Sequence, residues 1–77
     1  MDDQSILHRI QHLVDEEHRL DDQTAHSPED RERHHALRVE LDQCWDLLRQ
    51  RRARREFGDD PDGAKVRDEK TVEGYEQ

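Results

Sequence analysis

The chain has 77 residues, of which 44% are charged and 29% apolar, with three aromatic rings and a formal charge of −8. A sequence this short and polar (mean hydropathy −1.48) makes at most one small domain, and it cannot bury a sizeable core without elongated helix packing or self-association. The acidic balance excludes the whole surface as a match for a phosphate backbone, and a single cysteine, Cys44, excludes an intramolecular disulfide framework.

The opening MDDQSILHRI is acidic and has no long apolar run. It reads neither as a signal peptide nor as a membrane span, so a soluble, cytoplasmic protein is expected. Asp2 or Asp3 can cap a first helix over 3–23. Ile6, Ile10, Leu13, Glu17 and Leu20 repeat at helical spacing and form one seam, with Leu7 and Val14 as a second apolar column beside it. Residues 24–27 make a short polar connection, which places the flanking helices antiparallel.

The second helix is predicted over 28–57. Ser27 caps it, Pro28 suits its first position, and Glu29, Asp30 and Glu32 put negative charge at the positive end of its dipole. Leu37, Leu41, Cys44 and Leu48 form its seam, flanked by Trp45 and Leu47, whereas Val39 falls on the opposite side without an evident partner. The last third is basic: residues 49–58 hold five Arg against one Glu. Gly58, followed by Asp59, Asp60 and Pro61, ends the helix.

Folding the chain about residues 25–26 sets Leu13 against Leu37, Ile10 against Leu41, Ile6 against Cys44 and Trp45, and Asp3 near Leu48. Glu17 and His34 fall opposite each other, either solvated or as a half-buried pair that fixes register. The second helix overhangs the first by about 15 Å at ~1.5 Å per residue. That overhang, Arg49 to Phe57, needs a cover, as does the column of Leu7, Val14, Trp45 and Leu47. A second copy supplies both in a dimeric four-helix bundle, with Asp2 and Asp3 near Arg49 and Arg52. Residues 1–58 are thus a helical hairpin and 59–77 an acidic, mostly irregular tail, in which Val66, Val72 and Tyr75 could dock along the bundle.

Chemistry-bearing motifs are weak. Asp15-x-x-His18 and Glu32-x-x-His35 have the spacing of di-iron bundles, but these side chains point outward and cannot converge. His8 and His12, with Glu16, lie on an exposed face. No metal or cofactor is expected. Cys44 reads as a packed thiol. The run of Arg49, Arg51, Arg52, Arg54 and Arg55 has the charge of a phosphate-binding patch but no interleaved aromatic platform, so nucleic acid is disfavoured. There is no phosphate loop and no nucleophile–base arrangement, so no enzyme is expected.

Several stretches together, LVDEEHRL at 13–20, VELDQCWDLLRQRRA at 39–53, DPD at 60–62 and VEGYEQ at 72–77, resemble a family of short actinobacterial proteins classed as a domain of unknown function. The resemblance implies a helical hairpin of about this size, carries no catalytic residues across, and implies a role for Val72 and Tyr75 such as docking on Trp45. The reading is an all-α, coiled-coil-like antiparallel hairpin. Its expected function is non-enzymatic self-association and contact with a protein partner through Leu7, Val14, Trp45, Leu47, Arg49, Arg51 and Arg52. The alternative is a regulator that binds nucleic acid or a nucleoprotein complex through Arg49–Arg55.

Overall fold

The structure, a computed structural model, describes residues 2–22 and 27–72. Two long helices, α1 (Asp3–Asp21) and α2 (Pro28–Glu56), are followed by a 3-10 turn (Pro61–Gly63) and a single helical turn, α3 (Glu69–Val72). All regular structure among the described residues is helical. Most of the connection expected at 24–27, and Tyr75, lie outside them.

The helix ends follow from local chemistry. The Asp2 carboxylate accepts from the Ser5 amide at 2.8 Å and so satisfies a free donor of the first turn of α1. Ser27 and Asp30 form a reciprocal capping box: Oγ of Ser27 takes the Asp30 amide at 3.1 Å, and the Asp30 carboxylate takes the Ser27 amide at 3.2 Å. Pro28 occupies the first helical position. At the other end Phe57 is the cap, and Gly58 adopts a φ of 78°, a left-handed conformation that suits glycine.

The two long helices run antiparallel, since Asp3 pairs with Arg51, Arg9 with Glu40 and Glu16 with Arg33. Their seam buries Ile6, Ile10, Leu13, Leu37, Leu41 and Leu47, with Val14, Leu20, Cys44, Leu48 and Ala64 packed against it. Full burial of such a side chain contributes about 1.5–3 kcal/mol before conformational entropy is counted. Glu17 and His34 do not pair with each other. Glu17 lies 3.7 Å from Arg38 and His34 lies 2.9 Å from Asp21.

After Gly58 the chain reverses and runs back along α2. The 3-10 turn and α3 both pack on α2, and the extended stretch between them is tied to it by hydrogen bonds. This strap runs along a flank of α2 beside the seam, with Ala64 against the core and Val66 in a groove shared with Ser5, Ile6 and Arg9 of α1. His35, Val39, Gln43, Asp46, Gln50 and Arg54 are spaced 4, 4, 3, 4 and 4 apart and form one stripe there. Val39, without a partner in the seam, therefore belongs to the face that carries the strap, and it is half-buried.

Two expectations are corrected by the strap. Leu47 is not part of a surplus column awaiting a second copy; it is buried in the chain's own core. Arg51 is not an exposed basic residue. It is buried between the start of α1 and the 3-10 turn, with Asp3 at 2.6 Å and Asp62 at 2.9 Å. The N-terminal carboxylate of Asp3 also meets Arg55 at 2.8 Å, so it pairs with Arg51 and Arg55, one turn apart, rather than with Arg49 and Arg52. Of the tail residues singled out, Val72 is fully buried, whereas Val66 is 63% exposed.

Candidate functional site on the second helix

Because α2 has α1 on one side and the strap along a flank, its surroundings define two faces with different chemistry. One is apolar and open. Trp45 is 38% exposed on α2, and Leu7 is 45% exposed on α1 at the matching level. Val14, two turns on from Leu7, is half-buried. Val14 and Trp45 line a groove of about 150 Å³ together with Leu41, Glu17, Arg38 and Asp42. An exposed aromatic ring beside a shallow groove, lined by apolar Val14 and Leu41 and by charged Glu17, Arg38 and Asp42, has the mixed chemistry of a protein-contact surface.

The second face is polar and occupied. Asp46 has no exposed surface. Its carboxylate is held by Arg67, whose Nε lies 2.9 Å from Oδ2 and whose second nitrogen reaches Oδ1, and by Gln50 Nε2 at 2.8 Å. These contacts, Arg67 first, hold its carboxyl below the usual carboxylate range and outweigh the opposing effect of burial. Arg67 of the strap and Gln50 of α2 itself close over it. Gln50 also pairs with the Lys65 backbone, donating to its carbonyl at 2.7 Å and accepting from its amide at 3.3 Å. Gln43 donates to the Arg67 carbonyl at 3.1 Å. Farther along, His35 lies 2.9 Å from Glu69.

The basic run is largely committed within the chain. Arg51 and Arg55 are bound to Asp3, and Arg52 lies 3.5 Å from Glu56. Asp3 and Asp62 are both held below the ordinary aspartate range, the first chiefly by Arg55 and the second by Arg51. Phe57 stands 82% exposed at the end of the run. Cys44 is half-buried, and burial pushes its thiol up, which disfavours the nucleophilic thiolate. Among the described residues, no three His, Cys, Asp or Glu side chains converge as metal ligands would, and no helix is long and apolar enough to cross a membrane.

Residues 2–77 match the family model described as "Protein of unknown function (DUF2630)". The chain belongs to this family. Similar proteins include an uncharacterized protein of Mycobacterium bovis and uncharacterized proteins of two Mycobacterium tuberculosis strains. Each is 47% identical over 77 residues, covering 95% of this chain and 88% of the relative. No solved structure matches. The stretches that carried the resemblance to a short actinobacterial family meet in space: Gln43, Asp46, Gln50 and Arg51, from the motif at 39–53, face Asp62 of the DPD motif and the strap beyond it.

Residue-by-residue reading of the sequence missed Gln43, Asp46, Gln50, Asp62 and Arg67. Two signals could have found them: Val39, an apolar residue stranded on the far face, and one Asp and two Gln sharing its stripe.

Proposed function

We propose that this member of the family is a non-enzymatic interaction module of the cytoplasm. In this reading it pairs with a second copy of itself through the face of Leu7, Val14 and Trp45, forming a dimeric four-helix bundle. The observation that carries the reading is the exposed ring of Trp45, beside the groove it shares with Val14, together with the exposed Leu7, large apolar side chains that intramolecular packing leaves uncovered. Charged groups of both signs at the rim, Glu17, Arg38 and Asp42, suit a contact that a two-fold axis repeats on itself. A half-buried, protonated Cys44 with no disulfide is in keeping with a reducing compartment.

The alternative, a nucleic-acid contact through Arg49–Arg55, is weakened by the carboxylates already bound to Arg51, Arg52 and Arg55. Size-exclusion chromatography with light scattering tests the main reading. The wild-type chain runs as a dimer at micromolar concentration, and Trp45→Glu and Leu7→Glu each return it to a monomer of unchanged helicity. A wild-type chain that stays monomeric at hundreds of micromolar overturns it.

A further inference from the structure

We infer that the polar face of α2 is a recognition site for an extended peptide of the form small residue–any–any–Arg. In this structure it holds the chain's own Ala64, Lys65, Val66 and Arg67, and a separate peptide of the same chemistry takes their place when they are displaced. This surface lies on a different side of α2 from Trp45 and does not depend on the proposed dimer.

The contacts divide into backbone readers and one side-chain reader. The Gln50 amide closes two hydrogen bonds on a single residue, to the Lys65 carbonyl and from the Lys65 amide, as a neighbouring strand would. Gln43 takes the carbonyl two residues on. None of these bonds depends on the side chain of Lys65 or Val66, and Val66 is 63% exposed. Selectivity comes from the ends. Ala64 packs against the core between the helices. Arg67 delivers a forked, two-nitrogen grip to Asp46, a carboxylate closed off from water. A planar guanidinium fits such a carboxylate; a lysine ammonium supplies a point charge and cannot fork.

The strap is also the part of the molecule most readily displaced. Residues 65–71 are exposed, and its apolar anchorage comes from Ala64, the buried Val72 and the inner side of Val66 against Ile6 and Leu47. The seam between α1 and α2, by contrast, buries six apolar side chains. Local opening of a segment with few apolar contacts precedes opening of the core. Because the strap is tethered, it competes at an effective concentration of about millimolar or above, so the wild-type face is mostly filled in cis.

The test uses the full chain and a fluorescent synthetic peptide of residues 59–71. Arg67→Glu in the chain sets two carboxylates against each other, expels the strap and leaves Gln43, Asp46 and Gln50 in place. Peptide anisotropy should report binding to the R67E chain at least about tenfold tighter than to wild type, and a peptide that itself carries R67E should not bind. A helical R67E chain that ignores the peptide at millimolar concentration, or binds both peptides equally, overturns the inference. If the R67E chain loses helicity, the wild-type chain decides. Excess peptide should speed hydrogen exchange at the chain's own Lys65 amide, and an unchanged rate overturns the inference.

Discussion

Asp46 is a charged residue with no exposed surface in a chain whose charges are otherwise mostly on the outside. A buried carboxylate is tolerated only when its lone pairs are filled, and here Arg67 and Gln50 fill them. Removing either partner of the pair therefore costs more than the pair itself contributes. Asp46→Ala and Arg67→Ala should each destabilise the protein by about 1–3 kcal/mol in urea unfolding, and the double variant by clearly less than their sum. Fully additive losses would show that the two side chains do not act together. Arg51 and Arg52, neighbours in the same basic run, make a second contrast. Arg51→Ala should lower the melting temperature because it releases Asp3 and Asp62 at once, whereas Arg52→Ala, which frees only the exposed Glu56, should leave it nearly unchanged.

At the scale of elements, α2 joins the fold together, and its two sides were unequally legible. The seam side could be read because apolar residues recur at helical spacing and both ends carry chemical signals: Ser27 with Asp30 at one end, Gly58 at the other. The strap side could not be read in the same way, because its contacts run from side-chain amides to backbone groups and leave no periodic hydrophobic trace. Periodicity alone accordingly places Leu47 on an intermolecular surface, whereas it is buried in the chain's own core, against which Ala64 of the returning chain packs. The open Trp45 side was legible as surplus apolar surface for the same reason the seam was.

The carboxylates that tie these elements together give a pH prediction. Asp3, Asp46 and Asp62 all have folded values below their ordinary 3.8, so on acidification the unfolded chain takes up protons first. The stability they contribute is present above that value and is lost as the pH falls through the lower folded values. Thermal melts followed by circular dichroism should show no change in midpoint from these three groups between about pH 5 and 7, where their contribution is complete, and a falling midpoint below about pH 4. Gly58→Ala, which forces a side chain into a positive φ at the reversal, should cost about 1–2 kcal/mol without altering either long helix.

For the whole molecule, the described surface is divided between contacts the chain satisfies itself and apolar side chains it leaves exposed, Leu7 and Trp45 among them. The 3-10 turn and the ion pairs of Arg51 and Arg55 cover part of the overhanging end of α2 from within the chain and leave Phe57 exposed. In the proposed dimer the second copy covers the face of Leu7, Val14 and Trp45. Because Trp45 is the only tryptophan of the chain, its fluorescence reads that face directly. Dilution from high micromolar to nanomolar concentration should move its emission from a shielded, blue-shifted maximum to a hydrated, red-shifted one, with circular dichroism unchanged. An emission maximum that stays fixed across that range would contradict the account.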